Sequence, residues 1–236
     1  MIVRVCERAR AARNVSRVLV ATDDERIRDA VRAAGYEAML TSTEHASGSD
    51  RLAEAAAALD ESFDTIVNVQ GDEPQISPRT IERAVAALLD DPEAACATTC
   101  ENVSDAADVL SPDVVKVVLD ERGHALYFSR SVIPYPRAAV HKYGSLAAAL
   151  EVEPELLANF RKHTGLYVYR RAFLLEYARW PQSALERAES LEQLRMLEHG
   201  AKIRVVETNE TSIGVDTAED LERVRAMFAA AKGNKT

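Results

Sequence analysis

The sequence predicts an α/β protein with a largely parallel sheet, on three observations. Short runs rich in β-branched and apolar residues alternate with stretches of helical periodicity along the chain. Polar groups follow the ends of several such runs, where open α/β sheets hold their ligands. The 236 residues suffice for one buried core, and no repeat or long linker divides them. The expected organisation is a single domain over residues 1–231 with a disordered tail at 232–236.

In chain order, residues 2–13 read as a helix, and Arg17 to Thr22 as a strand ending in Asp23-Asp24. A helix over 24–34 is closed by Gly35, and Tyr36 to Leu40 forms a second strand. Ser49 to Leu59 is Ala-rich and helical. Asp64 to Val69 is the clearest buried strand and runs into Gln70-Gly71-Asp72-Glu73-Pro74. Ser77-Pro78 opens the next helix, with an N-cap and a proline at the first helical position. Residues 94–101 and 114–119 are strands, and Asp120-Glu121-Arg122-Gly123 turns into the strand at Ala125 to Phe128. The stretch 134–158, broken by Pro134 and Pro136, reads as a mobile loop with a short helix, able to act as a lid. Leu166 to Tyr169 is a strand, and helices follow over 171–179 and 185–199, the second closed by Gly200. Ile203 to Glu207 is a late strand. Thr217 to Ala231 is a final helix, with Thr217 and Asp220 spaced as an N-cap and its N3 acid.

Composition excludes several classes. Lys and Arg number 29 against 38 Asp and Glu, a net charge of −9 that argues against non-specific nucleic-acid binding. Three cysteines do not make a disulfide framework. Cys96 and Cys100, four apart in an apolar strand, read as small buried side chains on one face. No signal peptide and no membrane-length apolar run appears, so a cytoplasmic protein is expected.

Asp72 follows an apolar strand and Gly71, whose freedom would turn the acid into a crevice; Asp216 follows Gly214 and precedes a helix. Two carboxylates converging on a cleft suit Mg²⁺, but as residues alone Asp72 reads equally as a turn acid, and Asp216 more simply as a cap. His45-Ala46-Ser47-Gly48-Ser49-Asp50-Arg51 sets small polar residues at a helix start, where free N–H groups meet anions; ordinary capping by Ser47 or Ser49 is the simpler reading. Arg130 ends a strand and is placed to grip a carboxylate, while a lone His163 carries little weight. Glu186, Glu189 and Glu192 line one helix face, either as sugar contacts or as a solvated stripe.

Taken together, Val67-Asn68-Val69-Gln70-Gly71-Asp72-Glu73-Pro74, His45-x-Ser47-Gly48-x-x-Arg51, Val114 to Asp120 and Ala125 to Arg130 resemble the motifs of the 3-deoxy-manno-octulosonate (KDO) cytidylyltransferases, or CMP-KDO synthetases. So do His163-x-Gly165-x-Tyr167-x-Tyr169-Arg170, Leu191 to Arg195 and Gly214 to Thr217, all in family order. The resemblance implies a three-layer, mostly parallel sheet of the nucleotide-diphospho-sugar transferase type, with a small β-rich dimerisation element and a homodimer. It implies attack of the KDO anomeric hydroxyl on the α-phosphate of CTP, releasing pyrophosphate, for lipopolysaccharide core synthesis. It would make Asp72 and Asp216 the Mg²⁺ ligands, and place Ala21, Thr22, Asp23, Ser47, Gly48 and Arg51 around the nucleotide. Gln70, Arg130, His163, Tyr167, Glu189 and Gln193 would meet KDO, with Asp72, Arg130 and His163 closest to the chemistry.

Family members open with an apolar strand and a loop of the form Pro-Ala-Arg-x-x-Ser-x-Arg-x-x-x-Lys that grips the triphosphate. This sequence opens at Met1-Ile2-Val3-Arg4-Val5, which matches the helix after that loop. The expectation is that Met1 is an internal methionine of a longer natural chain, the other reading being an inactive, truncated nucleotide- or sugar-binding relative. A cytidylyltransferase for sialic acid or an amino analogue of KDO is the neighbouring alternative.

Overall fold

The computed structural model describes all residues except 46, 61, 211–213, 216 and 234–236. The elements run α1 (Ile2–Arg10), β1 (Leu19–Thr22), α2 (Glu25–Ala33), β2 (Glu37–Leu40), α3 (Gly48–Ala58), β3 (Thr65–Asn68) and α4 (Pro78–Leu89). Then come β4 (Ala94–Asn102), α5 (Ala106–Leu110), β5 (Lys116–Leu119), β6 (Ala125–Ser129), α6 (Arg137–Tyr143), α7 (Leu146–Val152) and a 3₁₀ turn (Pro154–Asn159). The chain closes with β7 (Arg161–Arg170), α8 (Arg171–Tyr177), α9 (Ala184–Glu189), α10 (Gln193–Glu198), β8 (Lys202–Glu207) and α11 (Ala218–Gly233). Two compact units form: Met1–Leu59, Asn68–Glu82 and Glu210–Thr236 in the first, Asp60–Val67 and Arg83–Asn209 in the second.

In the first unit β1 and β2 pair in parallel, Leu19 opposite Glu37 through Thr22 opposite Leu40, with α2 as their crossover. Asp24 starts α2 by accepting from the Arg26 backbone N–H at 2.8 Å, and Gly35, at φ 81°, takes the left-handed position that ends it. The Arg26 guanidinium and backbone N–H hold the Asp24 carboxyl down at about 2. On α11, Thr217 and Asp220 exchange the two bonds of a capping box, as their spacing predicts: Thr217 N–H to Asp220 Oδ2 at 3.1 Å and Asp220 N–H to Thr217 Oγ1 at 3.1 Å.

The second unit holds the larger sheet, in order β6-β5-β7-β4-β8, with β3 also paired to β7. The α/β class stands, but this sheet is mixed rather than mostly parallel. β4–β7, β5–β6 and β5–β7 run antiparallel and β4–β8 parallel. The tight turn after β5, closed by Gly123 N–H to Asp120 O at 3.0 Å with Gly123 at φ 80°, can join only antiparallel neighbours. β4 is buried along nearly its whole length, with neighbours on both edges. Cys96 and Cys100 are buried and free, and burial raises both thiols, Cys100 to about 12. They serve as small apolar side chains.

Two expected elements differ. Residues 134–158 are not a loop but are largely helical, as α6, α7 and the 3₁₀ turn. Gly144 at φ 82° stops α6, Ser145 caps α7, and Leu150 packs with buried Val103, Val109 and Phe160. The expected helix 185–199 is two helices, because Ser190 adopts φ 53° between α9 and α10. Glu186, Glu189 and Glu192 therefore do not line one face.

Candidate functional site

In the first unit, the C-terminal end of β1 and the start of α3 are tied together by Arg51. Its Nη2 donates to Asp23 Oδ2 at 2.8 Å and its Nη1 to Thr41 Oγ1 at 2.6 Å. The Arg51 bond lowers the Asp23 carboxyl from its usual range. Thr22 is buried, and its hydroxyl accepts from Asp24 N–H at 3.1 Å; Ala21 is half-buried beside it. Ser47 caps α3 by accepting from Asp50 N–H at 3.2 Å. Glu54 draws in the preceding segment, accepting from Ser42 N–H at 3.0 Å and meeting His45 Nε2. A Cβ built on Gly48 would touch nothing within 4 Å. Ala21, Thr22, Asp23, Ser47, Gly48 and Arg51 thus gather around one helix N-terminus.

Gln70 and Asp72 lie in a turn of the same unit, closed by Glu73 N–H to Gln70 O at 3.2 Å. Gly71 does not use glycine's freedom: its φ is not left-handed, and a Cβ there would make ordinary contact with Ile2 Cδ1 at 3.5 Å. A turn closed three residues on needs no left-handed residue, which corrects the role expected of Gly71. Val215 N–H donates to Asp72 O at 2.9 Å, so the segment leading to Asp216 docks on this turn. Asp216 itself lies outside the described residues. Among the described residues the half-buried Asp72 carboxylate has no protein partner, and no cluster of three or more His, Cys, Asp or Glu forms. A free carboxylate beside a phosphate-bearing ligand fits a Mg²⁺ that keeps water and phosphate as its other ligands.

The second unit gathers Arg130, His163, Tyr167, Glu189 and Gln193 around β5, β6 and β7. The β4–β7 ladder pairs Thr98 with Tyr167 but Thr99 with Thr164, so Gly165 and Leu166 bulge opposite a single step. Four residues of regular strand would set His163 and Tyr167 about 13 Å apart. The bulge brings their ring centroids to 5.3 Å, and Phe128 meets His163 edge-on at 5.1 Å. Thr98 Oγ1 lies 2.7 Å from Leu166 O and 2.9 Å from His163 Nε2. The carbonyl can only accept, so the Thr98 hydrogen goes to it and His163 Nε2 carries a hydrogen of its own. Burial lowers the His163 pKa to about 3, which leaves the ring neutral with a free Nδ1 lone pair. Burial also raises Tyr167, whose hydroxyl is buried without a hydrogen-bond partner among the described residues. Gln193, also buried, opens α10.

Glu189 closes α9 and turns its carboxylate onto the end of β6. Ser129 Oγ donates to Oε1 at 2.6 Å and Arg130 N–H to Oε2 at 2.9 Å, while Arg130 Nε donates to Glu189 O at 2.9 Å. Two participants were not picked out from the sequence. Thr98 is fully buried among apolar strand residues. Lys116 is fully buried too, and it was visible as the lone charge in the run Val114 to Leu119.

The family described as Cytidylyltransferase matches residues 1–203. The 3-deoxy-manno-octulosonate cytidylyltransferase of Geobacter sulfurreducens is 51% identical over 224 residues, covering 95% of this chain and 87% of that protein. The enzyme of the same name from Solibacter usitatus is 44% identical over 98% of this chain and 84% of its own length. A solved structure of CMP:2-keto-3-deoxy-manno-octonic acid synthetase complexed with CTP superposes with a TM-score of 0.85 at 43% identity, covering 98% of this chain and 88% of that one. The 4-diphosphocytidyl-2C-methyl-D-erythritol synthase of Anaerococcus prevotii shares the fold alone, at 12% identity and a TM-score of 0.59.

Proposed function

This chain belongs to the 3-deoxy-manno-octulosonate cytidylyltransferase family, and from that membership we propose that it couples CTP and KDO to CMP-KDO and pyrophosphate. The observation that carries the reading is the 43% identity, over 98% of the chain, to a synthetase of this kind in complex with CTP. The anomeric hydroxyl of KDO attacks the α-phosphorus and releases its proton to solvent, the bond to the bridging oxygen breaks, and pyrophosphate leaves with that electron pair. Such transfer depends on positioning and on neutralising phosphate charge.

Ala21, Thr22, Asp23, Ser47, Gly48 and Arg51 hold the nucleotide, at the positive end of the α3 dipole. The absence of a side chain at Gly48 leaves room for close approach of a ligand. Asp72, with Asp216, would hold Mg²⁺, which supplies charge neutralisation at the phosphates. Arg130 grips the sugar carboxylate. A neutral His163 gives no charge to that carboxylate and makes a poor base near pH 7; its Nδ1 instead accepts from a sugar hydroxyl. The unpartnered Tyr167 hydroxyl and the Gln193 amide are further sugar contacts, alongside Gln70. Glu189, its carboxylate engaged by Ser129 and Arg130, supports the sugar site from behind. No helix among the described residues is long and apolar enough to cross a membrane. We read the protein as a cytoplasmic homodimer feeding lipopolysaccharide synthesis, and light scattering in solution checks the dimer.

Pyrophosphate release from CTP, KDO and Mg²⁺ tests the reaction, measured on this chain and on one extended by its upstream in-frame codons. Release from neither, or faster release with sialic acid or an amino analogue of KDO, sinks the assignment. Asp72→Asn is expected to abolish Mg²⁺-dependent turnover with the circular-dichroism spectrum unchanged. Turnover that survives removes Asp72 from the site.

A further inference from the structure

Lys116 is fully buried, and its ammonium donates to three backbone carbonyls: Ser111 O at 2.8 Å, Val114 O at 2.6 Å and Arg130 O at 2.6 Å. A buried ammonium without partners is strongly disfavoured, and three carbonyls match its three N–H groups. The three acceptors surround one residue. Arg130 O is bound directly, while Ser111 and Val114 bracket Pro112-Asp113, and the Pro112 carbonyl accepts from Arg130 Nη1 at 3.1 Å. Glu189 holds the rest, taking Arg130 N–H on its carboxylate and Arg130 Nε on its carbonyl. Arg130 is therefore fixed at its backbone N–H, its backbone carbonyl, Nε and Nη1. Nη2 has no protein partner among the described residues.

We propose that Lys116 is a positioning residue: with Glu189 it clamps Arg130 so that the Nη2 edge of the guanidinium is held ready for the carboxylate of the sugar acid. The register explains why a lysine stands here. Lys116 pairs with Ser129 on β6 and with Lys162 on β7, immediately before Arg130 and His163. A side chain at this position reaches the chain exit from β6 and the entry to β5 together. Burial and the neighbouring Arg130 lower the Lys116 pKa, and Glu189 opposes that shift. A guanidinium already held in place loses less freedom on binding, so the clamp strengthens the grip on the carboxylate.

The proposal rests on the assignment of Arg130 to the sugar carboxylate, and the experiment separates the two. KDO is titrated calorimetrically into wild type, Lys116→Met, Ser129→Ala, Arg130→Ala and the Lys116→Met/Arg130→Ala double variant, with CTP titrated in parallel and a melting curve for each. Arg130→Ala and Lys116→Met are each expected to weaken KDO about tenfold or more, Ser129→Ala several-fold, and CTP by less than about twofold. Lys116→Met is expected to add less than about twofold on top of Arg130→Ala, because it acts through that residue. Should Lys116→Met fail to fold, Ser129→Ala, which removes one bond to Glu189, decides. Arg130→Ala weakening KDO while Ser129→Ala and folded Lys116→Met do not would overturn the clamp. KDO affinity unchanged in Arg130→Ala, or absent in wild type, overturns the underlying assignment and the clamp with it.

Discussion

His163 shows how one side chain's chemistry is set by its neighbours. The single hydrogen of Thr98 is committed to the Leu166 carbonyl, which fixes a proton on His163 Nε2 and leaves Nδ1 as an acceptor. Packing against Phe128 and Tyr167 strips solvent from much of the half-buried ring and moves its pKa from the ordinary 6.5 down to about 3. The consequence for stability has a definite sign. Between those values the unfolded chain binds a proton that the native chain does not, so stability is lost as pH falls below 6.5. This group contributes a slope of roughly 1.4 kcal/mol per pH unit in that window. Urea denaturation of wild type at pH 5 and pH 7 is expected to show the loss, and His163→Gln to reduce it by that slope. Equal slopes in the two proteins would mean that His163 titrates in the fold as it does in the unfolded chain.

At the scale of elements, the break between α9 and α10 organises the second unit. Ser190 at φ 53° turns the chain so that Glu186 and Arg195 meet in the interior, each side chain 4% exposed, at 2.8 Å. Glu186 also accepts from Ser183 N–H at 3.1 Å, in the capping box that opens α9. The Arg195 guanidinium donates to Trp180 O at 2.8 Å and lies 4.6 Å from the centre of the Tyr177 ring. A buried ion pair is costly to break on one side only. Glu186→Gln or Arg195→Met is expected to cost about 3–5 kcal/mol in urea denaturation, and the double variant less than the sum. An additive double variant would mean that the two do not act as a pair. The bulge at Gly165-Leu166 is the other decisive element, since it brings His163 to Tyr167.

At the scale of the molecule, the nucleotide residues around α3 lie in the first unit, with Gln70, and Arg130, His163, Tyr167 and Gln193 in the second. Hydrogen exchange is expected to slow at Asp23 and Ser47 to Arg51 with CTP alone, and at Arg130 and His163 with KDO alone. Protection of the same unit by both ligands would contradict that division. Much of this was legible in the residues. Helix limits followed from Gly35 and the Thr217–Asp220 pair, because caps and left-handed positions are decided within a few residues. The ordered motifs from His45 to Thr217 likewise led to the family, and Cys96 and Cys100 to buried apolar roles. Strand direction, the helical order of residues 134–158, the break at Ser190, and the partners of Lys116 and Glu189 came only with the tertiary structure. Periodicity and punctuation report the local backbone, which nearest neighbours decide. The partner of a buried charge, and which strand lies beside which, are decided by residues tens of positions away, and no local pattern carries that information.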